Sequence, residues 1–237
     1  MIKIENIDVY GFETAIRGMR NPMNSWEKSD SHVCLCDLNI GDCAMLEEDH
    51  EPAIECNNGK FGYCVGVNDL DLMNRLFKAG TEHRKYLRFI NVTMDITAPL
   101  YWWKEFDTYK VGTVANSCST MHKIHAKEFE LDDFSHEHLC GDRNERDIDE
   151  PMGVMNMIID TLNNARKVFI ESKDKTWWWQ MIQLLPSSYN QRRTVQMSYE
   201  VAVRMIQQRK NHKLDEWHDM VKVLLNLPYM KEIMGCE

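Results

Sequence analysis

The chain has 237 residues, and its 43% apolar and 27% charged content is typical of folded globular proteins. The formal net charge of −9 argues against general binding to nucleic acid or to anionic membranes, because both require a basic surface. No apolar run approaches the roughly 18–20 residues that span a bilayer, and residues 1–12 lack the basic and apolar regions of a signal peptide. We therefore expect a cytoplasmic protein with a sizeable core and with no membrane or nucleic-acid partner.

The eight cysteines do not predict a disulfide framework, because a chain of this length can bury enough apolar surface without one. Five of them lie in an acidic, glycine-containing region, at Cys34, Cys36, Cys43, Cys56 and Cys64. None of these forms a C-x-x-C pair, which is the usual half of a zinc site. Reduced thiols are the favoured interpretation, and no metal site is predicted there.

The first half of the chain predicts two strands with a helix between them. Residues 2–10 and residues 89–97 alternate apolar and polar side chains, which is the period of a half-buried strand. The intervening helix has Asn68 as its predicted N-cap and Gly80 as its C-terminal stop. Pro99 suits the first turn of an aromatic-rich helix after the second strand.

The second half of the chain is predominantly helical. Its acidic segment without periodicity, residues 129–151, is predicted to be a surface excursion. Helical patterns follow over 152–171, 175–185, 197–211 and 214–228, and the last two are clearly amphipathic. No repeat or flexible linker is visible. The sequence therefore predicts a single α/β (α+β) domain, residues 1–237, with long C-terminal helices.

A dense run of hydrogen-bonding side chains follows the aromatic helix. The run consists of Tyr109, Lys110, Thr113, Asn116, Ser117 and Ser119. Hydroxyl and amide groups at this spacing can bind a phosphate, a sugar or the edge of a base, and the lysine adds a positive charge. The alternative is a polar turn that hydrogen-bonds its own backbone, as Ser, Thr and Asn often do.

A second candidate site is a local concentration of basic residues in an acidic protein. Its members are Arg192, Arg193, Arg204, Arg209 and Lys210. Arginines grouped in this way suit the binding of an anion or a carbonyl group. The alternative is a solvated helix face with ion pairs, such as Glu200 with Arg204 four residues later.

Histidine pairs offer a weaker hypothesis. His122 with His125, and His136 with His138, can each supply two metal ligands, but no third ligand stands at a familiar spacing. Cys118 with His122 has the spacing of a nucleophile and its base on a helix, yet nothing orients the pair. The chain also lacks the glycine-rich loops of dinucleotide-binding and P-loop proteins. A metal-dependent enzyme is therefore the least favoured interpretation, and no metal is predicted.

The order of these segments resembles that of the flavin-dependent thymidylate synthases. The strand and turn FINVTMDITAP and the helix LYWWKEF lead to Thr108–Thr113, where that family has R-H-R-x-x-S. Asn116 and Ser119 match two positions of the N-E-x-S-x-R-Y continuation after a one-residue insertion. Further matches in the C-terminal half are Leu185-Pro186, Ser198-Tyr199-Glu200, Gln208-Arg209 and Asp215-Glu216-Trp217. The resemblance covers residues 68–226, and residues 1–67 form a divergent N-terminal part.

The resemblance implies a mixed sheet, a homotetramer, and transfer of a one-carbon unit to dUMP or a related pyrimidine deoxynucleotide. It implies FAD as cofactor, with methylenetetrahydrofolate and NADPH as co-substrates. The implied catalytic residues are Arg209 and Ser119. The implied cofactor-binding residues are Tyr109, Lys110, Thr113, Asn116, His83 and Arg88. The implied substrate-binding residues are Ser117, Ser198, Arg193 and Arg204.

The sequence departs from the family pattern at several positions. Thr108, Tyr109 and Lys110 replace R-H-R, Met121 replaces the arginine of the continuation, and Ile182 stands where a phosphate-binding arginine is expected. A lysine does not reproduce the bidentate contact of an arginine with phosphate. A second interpretation therefore stays open, in which a descendant of this family binds a nucleotide or a partner protein without catalysis.

Overall fold

The computed structural model describes residues 2–33 and 62–236. In chain order the strands are β1 (Lys3–Tyr10), β2 (His32–Val33), β3 (Tyr63–Cys64), β4 (Asn91–Pro99), β5 (Thr113–Ser117) and β6 (Asn190–Ser198). The helices are α1 (Phe12–Arg20), α2 (Val67–Lys78), α3 (Leu100–Phe106), α4 (Pro151–Ser172), α5 (Lys175–Leu184), α6 (Tyr199–Arg209), α7 (Asp215–Leu225) and α8 (Met230–Met234).

Four strands form an antiparallel sheet in the order β1–β4–β6–β5, while β2 and β3 pair separately. The register sets Val92 opposite both Val9 and Met197, so that apolar side chains from three strands share one face. Asp95 lies opposite Thr194 on the other face, which is polar. This division follows from the period of two in strand side chains, and it buries one face while leaving the other hydrated.

Within the described part of the chain, two hydrophobic clusters pack the elements together. The larger cluster joins the apolar face of the sheet to helices from both halves of the sequence. Its biggest fully buried side chains include Trp102, Trp103, Trp217 and Tyr199. The smaller cluster lies between α4, α5 and the segment before α4, where Phe134, Leu162 and Met181 are buried. The chain is thus a single mixed α/β domain, which confirms the predicted fold class.

Several predicted elements are confirmed almost to the residue. The strands expected over 2–10 and 89–97 are β1 and β4, and the helices expected over 152–171 and 175–185 are α4 and α5. The segment 129–151 is largely exposed as expected. Its aromatic residues at 129 and 134 are nevertheless buried in the smaller cluster.

Two helix starts differ from the prediction. The helix expected to be capped by Asn68 begins at Val67, and the carboxylate of Asp30 accepts the Asn68 N–H at 2.8 Å. A side chain distant in sequence thus supplies the cap that the local sequence seemed to offer. The helix expected over 197–211 begins at Tyr199, because Met197 and the residue after it complete β6.

Strands β5 and β6 are absent from the sequence prediction. In β6 the buried residues Val195 and Met197 alternate with polar ones, but Arg193 also lies on the core side and obscures the pattern. In β5 most side chains are exposed on both faces, so no alternation exists to be read.

The cysteine-rich segment falls mostly on residues whose structure is not described. Cys34, Cys36, Cys43 and Cys56 lie outside the described residues, and Cys64 lies in β3. Within 2–33 and 62–236, no helix has both the length and the apolar character to cross a membrane.

Candidate functional site

A group of arginines stacked on buried aromatic rings occupies the region where α3, β6, α6 and α7 meet. Arg209 ends α6, and its guanidinium carbon lies 4.8 Å from the ring centroid of Trp217 and 5.5 Å from that of Tyr109. Its Nε donates to the Tyr109 hydroxyl at 3.0 Å, and its Nη1 donates to Glu105 Oε2 at 2.9 Å. The side chain is only 14% exposed. Stacking and two directed hydrogen bonds together fix the plane of this guanidinium group.

Arg193 is held in the same manner on the neighbouring strand. Its guanidinium carbon lies 4.2 Å from the ring centroid of Trp103. Its Nη1 donates to Asp107 Oδ1 at 3.0 Å, and its Nε donates to Gln191 Oε1 at 3.0 Å. With 16% of the side chain exposed, one face of the guanidinium plane packs on the indole. The exposed part is what an incoming ligand would meet.

Arg204 differs from these two arginines because the described part of the chain offers it no carboxylate. Its guanidinium carbon lies 5.2 Å from the centroid of Tyr109. The Tyr109 hydroxyl donates to Gln208 Oε1 at 2.9 Å while accepting from Arg209. The positive charge of Arg204 is therefore not compensated by a described carboxylate and is available to an incoming anion. Arg193 and Arg209 already have acidic partners.

The local sequence explains how the acidic and aromatic groups come together. Helix α3 continues directly into a 3-10 turn, Asp107–Tyr109, which tightens the chain after Phe106. The turn buries Tyr109 while leaving Glu105 and Asp107 at the rim, where they are 44% and 41% exposed. Bulky core residues and rim carboxylates therefore emerge from one short segment.

The polar run predicted as a binding loop lies along β5 and its flanks. Thr113 Oγ1 donates to the Tyr109 carbonyl at 2.9 Å, and Ser119 Oγ accepts the His122 N–H at 2.9 Å. These two residues bond locally, as the polar-turn alternative expects. Lys110, Asn116 and Ser117 are exposed. Ser117 lies directly opposite Arg193 on the neighbouring strand, so the two side chains share one face of the sheet.

Other predicted site residues lie at the opposite end of α6. Ser198 precedes the helix that Arg209 ends, so the two stand about 16 Å apart along the helix axis. His83 and Arg88 are exposed, before and at the end of the 3-10 turn Lys85–Arg88, which packs against α1 and α6. Within one chain, the structure groups Arg193, Arg204 and Arg209 with Tyr109 but does not bring Ser198, His83 or Arg88 to them.

Arg192 points away from this group because neighbouring strand residues face opposite sides of the sheet. It donates to Asp95 Oδ2 at 2.7 Å on the polar face. Hydrogen bonds from Thr194, Asn6 and Arg192 hold the pKa of Asp95 well below its usual range. Lys210 is exposed just after α6. The five basic residues predicted as one set therefore do not lie together, because Arg192 is on the polar face of the sheet and Lys210 is exposed beyond α6.

The histidine pairs do not converge. His125 packs edge-on against Phe169, His136 Nδ1 lies 2.8 Å from the Phe134 carbonyl oxygen, and His138 faces Asp215. Among the described residues, no group of three or more His, Cys, Asp or Glu side chains is arranged to hold a metal ion. Cys118 and His122 are both exposed.

Sequence reasoning gave no site role to Glu105, Asp107, Trp103, Trp217 or Gln208. The two carboxylates act on partners that are distant in sequence, 86 positions for Asp107 with Arg193 and 104 for Glu105 with Arg209. The spacing of Glu105 and Asp107, two apart at the end of an aromatic helix, is a signal that could have pointed to a paired-carboxylate rim.

The donor set fits a planar, anionic ligand such as a nucleotide or a flavin cofactor. Guanidinium planes backed by indole and phenol rings offer stacking surfaces and N–H donors. Arg204 and Lys110 add positive charge without a carboxylate partner in the described residues. Tyr109 is itself buried beneath two guanidinium groups, so it meets a ligand only through them.

Comparison with known proteins supports the fold but leaves the chain distant in sequence. No family model matches it, and no curated protein matches it. A crystal structure of thymidylate synthase X from Helicobacter pylori with FAD and dUMP superposes with a TM-score of 0.63 over 99% of this chain and 97% of that chain, at 16% identity. A second structure of the flavin-dependent enzyme from the same organism, also complexed with FAD and dUMP, gives 0.61 over 97% of each chain at 17% identity. The chain therefore has a fold similar to that of flavin-dependent thymidylate synthase.

Proposed function

We propose that this chain is a flavin-dependent thymidylate synthase-like enzyme that transfers a one-carbon unit to a pyrimidine deoxynucleotide, dUMP or a relative of it. The observation that supports this most strongly is the stack of Arg193, Arg204 and Arg209 on buried rings in a fold like that of thymidylate synthase X. Two such structures were solved with FAD and dUMP. The proposal includes membership of that family and a cytoplasmic homotetramer.

In this proposal Arg209 contacts the pyrimidine. Its Nε and Nη1 are committed to Tyr109 and Glu105, which leaves Nη2 to donate to a carbonyl oxygen of the base. Glu105 and Tyr109 then act by holding the guanidinium plane in position. Arg193, packed on Trp103, supplies a second stacking surface for a planar ring.

The phosphate of the nucleotide is assigned to Arg204 together with Lys110, and hydroxyls of Ser117 and Ser119 line that side. A guanidinium already paired with a carboxylate gains less from a phosphate than one without such a partner. Arg193 and Arg209 are paired in this way, whereas no carboxylate of the described residues pairs with Arg204. This division separates base recognition from phosphate recognition.

The cofactor-binding residues of the proposal are Lys110, Thr113, Asn116, His83 and Arg88, together with Tyr109, which acts through the guanidinium groups of Arg204 and Arg209 that cover it. When bound, FAD supplies the hydride, with methylenetetrahydrofolate as carbon donor and NADPH as reductant. Ser198 lies about 16 Å from Arg209 along α6, and His83 and Arg88 belong to a different segment, at and before the 3-10 turn Lys85–Arg88. Their participation at the same ligand therefore requires either an extended molecule or a second subunit.

A second candidate function is nucleotide binding without catalysis. It is favoured by the rim carboxylates, because Glu105 and Asp107 occupy positions on Arg209 and Arg193 that an anionic ligand would otherwise take. Under this alternative the stacked arginines retain a base-binding role, and no electron transfer takes place.

Release of tritium from C5 of [5-³H]dUMP distinguishes the two candidates. Purified protein is incubated with FAD, NADPH and methylenetetrahydrofolate, and water-soluble tritium is counted. Release that depends on all components supports the enzyme, and it is expected to fall at least tenfold in Arg209→Lys, which keeps the charge but loses the planar stack. Binding of dUMP without any tritium release supports the non-catalytic alternative.

A further inference from the structure

The two edges of the four-stranded sheet are built differently. At one edge β1 carries Lys3 and Glu5, and its register is interrupted before Asp8 by a bulge in which Asn6 has φ 52°. Charges and bulges of this kind discourage an edge strand from pairing with another chain. At the other edge β5 is a regular strand, Thr113–Ser117, without a charged residue or a proline.

The open side of β5 has unsatisfied backbone groups. Cys118 N–H donates to the Arg192 carbonyl at 2.9 Å, just beyond the strand. Because successive residues of an antiparallel strand alternate between the two sides, Asn116 and Val114 also bond towards β6. Ala115 and Ser117 therefore direct their N–H and C=O groups away from the sheet. Among residues 2–33 and 62–236, no strand pairs with that side.

We propose that β5 pairs antiparallel with β5 of a second copy of this chain, so that two sheets join into one of eight strands. In the register centred on Ala115, this residue faces its own counterpart and Thr113 faces Ser117 of the second copy. Both outward residues then find donors and acceptors, and the pairing is the same on both sides, as a two-fold contact requires. The pairing names one contact of the homotetramer that the proposed function includes, but it is argued from the sheet edge alone and its test is independent of the reaction.

The side chains of β5 favour a second copy over an unrelated peptide. Strand addition by a foreign peptide gains specificity from pockets for alternate side chains. The side of β5 facing the helices presents only Thr113, Ala115 and Ser117, which are small and form no such pocket. In the proposed register no charge meets its own counterpart within the strand, so like-charge repulsion is absent.

Exposed valines next to the backbone groups add apolar area to the contact. Val114 is 67% exposed on the strand, and Val111 is 84% exposed in the turn that leads to it. Val114 would lie opposite Asn116 of the second copy and would lose part of its exposed surface, while Val111 would border the contact. Large apolar side chains this exposed beside an unprotected edge are characteristic of an association surface.

Light scattering after size-exclusion chromatography, together with hydrogen exchange, tests the proposal. Ala115→Pro removes an outward N–H, and proline is tolerated on that side of an edge strand. Ala115→Lys places a charge at the two-fold axis and covers the case in which the proline variant fails to fold. Asp8→Lys, at the opposite edge, is the matched control. We expect both Ala115 variants to raise the dissociation constant of the dimer at least tenfold and the control to leave it unchanged.

Hydrogen exchange locates the contact within the strand. In the assembled wild-type protein the amides of Ala115 and Ser117 should be protected, and dilution or Ala115→Lys should abolish that protection. The Asn116 amide bonds to β6 and should stay protected throughout. A wild-type monomer, an assembly unaffected by Ala115→Lys, or protection of Ala115 and Ser117 in a monomer, where another part of the same chain covers the edge, would each overturn the proposal.

Discussion

Arg209 Nη1 lies 2.9 Å from Glu105 Oε2, and the same guanidinium group donates through Nε to Tyr109. These contacts connect the end of α6 to the end of α3 and the turn that follows it, and Glu105 and Arg209 are 104 positions apart. The aromatic rings below give the arginine a defined plane, and the carboxylate fixes its rotation. Positioning of this kind is costly to maintain on a surface, which is why the group is the natural candidate for ligand recognition.

Replacing Arg204 by alanine should weaken binding of dUMP more than binding of deoxyuridine. Arg204 is assigned to the phosphate, and a hydrogen bond to a charged group contributes about 1.5–3 kcal/mol, or roughly a 10- to 100-fold change in affinity. Isothermal titration calorimetry with both ligands measures the difference. Lys210→Ala, an exposed cation just after the same helix, is the control and should change neither affinity. An equal loss for both ligands would remove Arg204 from the phosphate site.

Neutralising a rim carboxylate should act in the opposite direction. In Asp107→Asn the Arg193 guanidinium loses its anionic partner, so we expect the affinity for inorganic phosphate and for dUMP to increase several-fold. The same titrations check this, and salt should weaken the gain. Asp71→Asn removes the partner of an exposed arginine elsewhere and serves as control. Unchanged or weaker anion binding in Asp107→Asn would show that the carboxylate does not limit the site.

Trp217→Ala should destabilise the protein strongly, because this side chain is fully buried and its ring centroid lies 4.8 Å from that of Trp102. Truncation of a buried tryptophan costs about 3–5 kcal/mol, which urea unfolding can measure. Trp179→Ala, at a 43% exposed position, should cost less than about 1 kcal/mol. Similar losses in both variants would contradict the placement of Trp217 at the base of the arginine group.

His212 gives a pH dependence of stability. Its pKa is lowered, first by burial and then by the charge of Arg209, and its Nδ1 accepts the Leu214 N–H at 3.1 Å. Because the folded-state pKa lies below the unfolded value of about 6.5, the stabilisation is complete above that pH and declines as pH falls through the folded pKa. Urea unfolding of wild type and His212→Asn between pH 5 and 8 checks this. A slope that persists unchanged in the variant would assign the dependence to another group.

Local sequence was sufficient where burial follows one clear period. The alternation in β4 and the helical stripe in α4 predicted both elements, because each has one face in the core. It was insufficient for β5, whose side chains are exposed on both faces, and for β6, where Arg193 reaches the core side by packing on Trp103. A stacked arginine behaves as a partly apolar group, and period analysis treats it as purely polar.

The candidate site was predictable in part for the same reason. Resemblance pointed to Arg209 and Tyr109, which the structure places in contact. Glu105 and Asp107 escaped notice because their significance depends on partners brought near only by folding. Ser198 shows the converse, since a position that matches the family pattern in order stands about 16 Å from Arg209 along α6.

The visible absorption spectrum tests the central claim most directly. The purified protein is incubated with excess FAD, freed of unbound flavin by gel filtration, and titrated with dUMP. The proposed function predicts retained flavin with its visible absorption bands, and a spectral change as dUMP binds beside it (about one equivalent per chain). Protein that emerges colourless, with a spectrum that dUMP does not alter, would contradict the flavin-dependent activity.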